Sequence, residues 1–154
     1  MTSDQLVKKI EESWLDASYP EGDGLTVHPI GLDEVFYQGL VGKSWDSLSS
    51  SFLNHHSDCI GLLTPKGFQY FLPAFLISDL KLGGNTMIRS CLFWTLEGCL
   101  GGYSSIKGLS GPDWFRTRIG QLTSQQKVCV VEFIDTGEDG DLDNYEFIVE
   151  HIMN

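Results

Sequence analysis

The hydrophobic pattern of this chain is helical from its first residues. Leu6, Val7, Ile10, Trp14 and Leu15 recur at intervals of three and four, with Lys8, Lys9, Glu11, Glu12 and Asp16 on the other side. That spacing lays one apolar stripe along an α-helix. Thr2, three residues before Gln5, supplies a capping-box start. Pro20 and the glycines of "YPEGDG" then break both helical and strand periods. The following "LTVHPIG" predicts an extended connection. Asp33 is placed to cap a short helix carrying Val35, Phe36 and Leu40, and another short helix is expected around Leu48 to Leu53.

The middle of the chain is the most apolar. Thr64 followed by Pro65 reads as a helix start, because proline's missing N–H costs nothing in the first turn. Phe68, Phe71, Leu72 and Phe75 share a side, which predicts a central core helix from Pro65 to Leu82. Pro73 falls inside it, removes the hydrogen bond to the Gln69 carbonyl and predicts a kink there. "GGN" closes this helix, and Asn85 is expected to cap a next one bearing Ile88, Cys91, Leu92 and Leu96. Glycines at 98, 101, 102, 108 and 111 predict a loop over 97–112, after which Asp113 caps a short helix with Trp114 and Phe115. "KVCVVEFI" suits a buried strand by composition. The capping-box pair Thr123 and Gln126 before it decides for helix. A last helix carries Tyr145, Ile148 and Ile152 on one face. The pattern as a whole predicts an all-α, compact single domain over residues 1–154, built from six to eight helices.

The stretch "LTPKGFQYFLPAFL" also resembles an uncharacterised family of small bacterial proteins, a domain of unknown function. That family is marked by a Leu-Thr-Pro-x-x-Phe-x-Tyr-Phe-Leu-Pro-Ala-Phe-Leu signature. Leu63, Thr64, Pro65, Phe68, Tyr70, Phe71, Leu72, Pro73, Ala74, Phe75 and Leu76 match it. The paired histidines upstream and "LTSQQKVCVVEFI" are similar too, so the resemblance spans about residues 5–134. It implies a helical cytosolic domain and brings no catalytic residues with it.

Composition agrees with a globular chain: 42% of the 154 residues are hydrophobic and 20% charged, the balance of a protein with a core rather than a disordered one. No apolar run approaches the roughly 18 residues that span a bilayer. The first 14 residues are charged and amphipathic without a signal-peptide core, which predicts a cytoplasmic protein. Cys59, Cys91, Cys99 and Cys129 sit among apolar residues without metal-type spacing, and buried free thiols are expected.

Charge changes the picture. The net charge is −11, and residues 124–154 hold eight carboxylates against Lys127 alone. Such a surface repels nucleic acid and anionic membranes and attracts a basic protein or a divalent cation. "DTGEDGDLDNYE" scans as an EF-hand loop, with Asp135 at position 1, Asp139 at 5, Gly140 at the turn, Asp141 at 7 and Glu146 at 12. Gly137 stands where a third-position carboxylate belongs, and no second EF-hand accompanies it. The better account of this stretch is an acidic inter-helix loop. Calcium held by Asp135, Asp139, Asp141 and Glu146 is the alternative.

Catalytic signatures fail one by one. Gly42-Lys43-Ser44 ends like a phosphate loop, but Tyr37 occupies the position of its first glycine. "GLSGP" approaches a nucleophile elbow, yet Pro112 replaces the last glycine. His28, His55, His56 and His151 show no pairing of base with nucleophile. His55 and His56, with Asp58 and Cys59, are metal-capable, but adjacent helical residues diverge by about 100°. The expectation is therefore a protein-binding module without a cofactor, of the immunity type that neutralises a basic, nuclease-like bacterial toxin. Its expected contact residues are Glu138, Asp139, Asp141 and Asp143 with Tyr103 and Trp114. An enzyme of unrecognised type, relying on His55, His56 and Asp58, is a further alternative.

Overall fold

The computed structural model describes residues 1–21, 24–27, 34–104, 106–137 and 144–154. Within them the protein is all-α. Its helices are α1 (Ser3–Ser13), α2 (Glu34–Leu40), α3 (Ser50–His55), α4 (Pro65–Lys81), α5 (Met87–Leu100), α6 (Gly111–Ile119), α7 (Ser124–Asp135) and α8 (Tyr145–Met153). Two 3-10 turns, Trp45–Ser47 and Ser57–Leu62, flank α3. Pairing between extended segments is limited, among the described residues, to one antiparallel bridge of Thr26 with Leu63. Asp33, read as the cap of α2, lies outside the described residues.

The helix starts follow the side chains that satisfy orphan N–H groups. Thr2 and Gln5 close a reciprocal capping box on α1, as Thr123 and Gln126 do on α7. Thr64 accepts the Gly67 N–H at 3.1 Å, with Pro65 at the first position of α4. Two expected caps are displaced. Thr86, not Asn85, caps α5 by accepting the Ile88 N–H. Ser110, not Asp113, caps α6, because its hydroxyl lies three residues before the Asp113 N–H that it accepts. The glycine-rich loop is also shorter than expected, since α5 continues to Leu100.

Helix ends are as specific. Gly83 and Gly84 both have positive φ, and their N–H groups donate to the carbonyls of Leu80 and Asp79 at 3.3 and 2.9 Å. This is a Schellman motif, in which glycine meets no Cβ penalty. The end of α5 repeats it: Gly102, at φ 99°, donates to Cys99, and Tyr103 donates to the Gly98 carbonyl at 2.7 Å.

At about 25 Å, α4 is buried almost throughout from Gly67 to Leu80 and packs against α1, α3, α5 and α6. An all-round apolar helix is stable only as such a core element. The helix runs through Pro73 from Pro65 to Lys81. The Gln69 carbonyl that Pro73 cannot serve accepts the Trp14 indole N–H at 2.7 Å instead. Trp14 is fully buried, so proline in the core helix frees the acceptor that its indole requires. Trp14→Phe is expected to cost about 1–3 kcal/mol by removing the partner of a half-buried carbonyl. In Trp14→Phe/Pro73→Ala the new alanine N–H takes that carbonyl, so urea titration of both variants should show the double mutant recovering part of the loss.

A second lock joins α4, α5 and α7. Asp79 and Arg89 are buried, and Arg89 Nε and Nη2 donate to Asp79 Oδ2 at 3.0 and 2.8 Å. Arg89 also donates to the Phe133 carbonyl at 3.3 Å and to Thr136 Oγ1 at 2.8 Å, and its guanidinium lies 4.3 Å from the centre of the Phe133 ring. The other Asp79 oxygen accepts the Thr86 N–H and hydroxyl at 3.3 and 2.8 Å. The pair is buried but hydrogen-bonded on every side.

Candidate functional site

A groove of about 1230 Å3 lies where the end of α1 meets the start of α4 and the α6–α7 turn. Its position follows from helix direction. Lys9 Nζ reaches Glu132 at 2.7 Å and Gln126 Nε2 donates to the Ser13 carbonyl at 3.1 Å, so α1 and α7 run antiparallel. The C-terminus of α1 therefore opens beside the N-terminus of α7. Tyr19 fastens the chain after α1 over α4: its ring meets Tyr70 edge-on at 5.6 Å, and its hydroxyl accepts the Gly42 N–H at 2.9 Å.

Amides pair with one another on the groove's lining. Gln69 Nε2 donates to the Gln121 carbonyl at 2.6 Å and to Gln126 Oε1 at 3.3 Å, and the latter oxygen also accepts the Thr123 N–H at 3.1 Å. These groups are already satisfied. The lining carboxylates differ: Glu12, Asp16 and Glu21 form no ion pair among the described residues, and Lys66 is the single ammonium on the lining. The last turn of α1 carries no basic residue to meet its negative dipole end. The α7 N-terminus at the same groove offsets part of the repulsion between these acids. What remains is a wide, polar concavity with excess negative charge.

The acidic-loop residues Glu138, Asp139, Asp141 and Asp143 lie outside the described residues. Helices do stand on either side of that loop. Asp135 ends α7, where one of its oxygens accepts the Tyr145 hydroxyl, and Glu146 sits in the first turn of α8. No three His, Cys, Asp or Glu side chains converge as a metal site among the described residues.

Tyr103 and Trp114, expected side by side in a partner surface, separate. Tyr103 is 52% exposed, whereas Trp114 is 1% exposed and belongs to the core. Its indole donates to the Gly61 carbonyl at 2.8 Å, and its face receives the buried Arg118 guanidinium at 4.9 Å. Burial pulls Arg118 down to about 10, which leaves it a cation at neutral pH. The apolar flank of Trp114 on α6 explains the difference: Phe115 and Ile119 share its buried side. Tyr103 pairs instead with Trp94, which is 60% exposed, at a centroid distance of 5.2 Å. The Schellman turn at Gly102 folds Tyr103 back onto the helix that carries Trp94. Gly111 seals this corner, since a Cβ there would collide with the Cys99 and Tyr103 carbonyls.

The remaining motif look-alikes have structural roles. Gly42 follows a helix, not a strand, and has φ 73°. Ser110 caps α6. His56 packs on Phe52 at 4.7 Å and Phe36 at 5.7 Å; burial, then the neighbouring His55, lowers its pKa. His28 lies outside the described residues, and His151 contacts the Phe147 carbonyl through Nδ1 at 2.7 Å. The four cysteines form no disulfide; Cys59, Cys99 and Cys129 are buried and Cys91 partly so. Burial pushes the Cys99 thiol up to about 12, away from nucleophilic use at neutral pH. No helix among the described residues is long and apolar enough to cross a membrane.

The groove acids and Trp94 were missed from sequence because helix pairing, not local pattern, assembles them. The available signals were the acidic end of α1 and the glycine pair that follows Trp94's helix. No family model, curated protein or solved structure matches this chain.

Proposed function

We propose that this chain is a binding module for a basic protein, and that the groove between α1, α4 and the α6–α7 turn receives a lysine- or arginine-rich segment of it. The observation that carries this reading is the set of carboxylates, Glu12, Asp16 and Glu21, that form no ion pair among the described residues, on a concavity whose amides are already satisfied. A guanidinium or ammonium finds acceptors there without displacing protein hydrogen bonds. The net charge of −11 adds long-range attraction, which raises association rates more than final affinity. The carboxylates of 138–143 contribute to that net charge, and the exposed Trp94 and Tyr103 are aromatics of the type enriched at binding hot spots. A nuclease-type toxin, whose own site is built for phosphate, is the partner class this charge suits best, in the manner of an immunity protein.

Affinity capture on the immobilised chain, using extract of its native cells, tests the reading. The expected result is a protein of strongly basic composition, released by raising the salt concentration. Recovery of an acidic or neutral protein that withstands the salt step would overturn it.

A further inference from the structure

A second groove, of about 510 Å3, separates α6 from α8. It shares the α6–α7 turn with the acidic groove but none of its lining residues. Its chemistry is the opposite. Leu100, Phe115, Ile119 and Phe147 supply an apolar lining, and among the described residues Arg116 and Lys127 supply two cationic side chains against the one side-chain carboxylate of Glu150. We propose that this groove binds a small amphipathic anion, a carboxylate on an apolar tail such as a medium-chain fatty acid.

Phe147 is the first reason. It is 50% exposed on the groove, yet its ring packs tilted against His151, one helical turn later, at a centroid distance of 4.0 Å. The His151 ring is in turn fixed through Nδ1 to the Phe147 carbonyl. An apolar lining is thus held in place before any ligand arrives, which lowers the ordering cost of binding.

Lys127 is the second. Residues 124–154 contain eight carboxylates and this one lysine, yet no ion pair forms on it among the described residues. It stands half-buried at an apolar groove instead. Arg116 is engaged with Asp113 at 2.7 Å, but both partners are exposed, and such pairs are weak enough to exchange for a ligand. An anion seated between Arg116 and Lys127 supplies the counter-charge that no acid among the described residues gives Lys127 as an ion pair. Glu150 on the same lining disfavours a second negative charge, so a monoanion fits better than a phosphate monoester or another dianion. The volume lies within the range of small-molecule sites.

Titration with 1-anilinonaphthalene-8-sulfonate, itself an apolar anion, tests the site on the whole chain. Saturable one-site fluorescence enhancement is expected, displaced by dodecanoate and not by dodecyltrimethylammonium. Lys127→Glu and Phe147→Ser should each weaken both ligands by about tenfold or more, with circular dichroism melts matching the parent. Should Lys127→Glu alter the melt, Lys127→Gln takes its place. Absence of saturable binding, equal displacement by the cationic amphiphile, or undiminished affinity in either variant overturns the proposal. None of these outcomes bears on the acidic groove, whose partner is basic.

Discussion

Arg89→Ala should destabilise the protein by about 3–5 kcal/mol, the cost of leaving a buried carboxylate without its partner. Arg89 holds Asp79 with two hydrogen bonds, the Phe133 carbonyl with a third and Thr136 with a fourth. Its loss would therefore strip counter-charge from a fully buried Asp79 and loosen the junction of α4, α5 and α7 together. For a domain of this size the melting temperature should fall by roughly 10 °C or more. Arg89→Lys should restore little, because an ammonium cannot fork to Asp79 while reaching the α7 carbonyl. The double variant Asp79→Leu/Arg89→Met should be more stable than Arg89→Ala, since it removes both charges at once. Thermal denaturation of the three variants decides the matter. A melt of Arg89→Ala within a degree or two of the parent would show that the network contributes little.

How much of this could be read from the chain depends on whether the cause was local. Capping boxes at Thr2 and Thr123 lie within four residues, and both helices appear where those residues place them. The glycine pairs that end α4 and α5 are local in the same sense, because positive φ is a property of one residue. The exposed Leu15 shows the limit: its helix stops at Ser13, so the apolar stripe ends one residue before it, at Trp14. Trp114 shows another. As an aromatic beside a glycine-rich loop it reads as a contact residue, but α6 turns it inward against Phe68, at 5.5 Å. The Arg89–Asp79 pair was hidden because a charge ten positions from its partner gives no sign of burial. The acidic groove was hidden for a related reason: Glu12, Lys66 and Gln126 are far apart in sequence and meet because α1 runs antiparallel to α7.

Charge reversal in that groove should have the largest effect on binding. Glu12, in the last turn of α1, and Asp16, three residues beyond its end, are exposed, so lysines there disturb no buried contact. Glu12→Lys/Asp16→Lys changes the lining from three carboxylates and one lysine to one carboxylate and three lysines. A basic partner then meets repulsion where it met attraction. Because exposed charges act chiefly on the encounter, the association rate should fall by about tenfold or more at low salt. Dissociation and the thermal melt should change far less. The most direct measurement is stopped-flow association of the captured partner with parent and variant across a series of salt concentrations. The account predicts a steep fall of the parent's rate with salt and a slow, much flatter dependence for the variant, the two converging at high salt. Equal rates for both proteins at every salt concentration would contradict it.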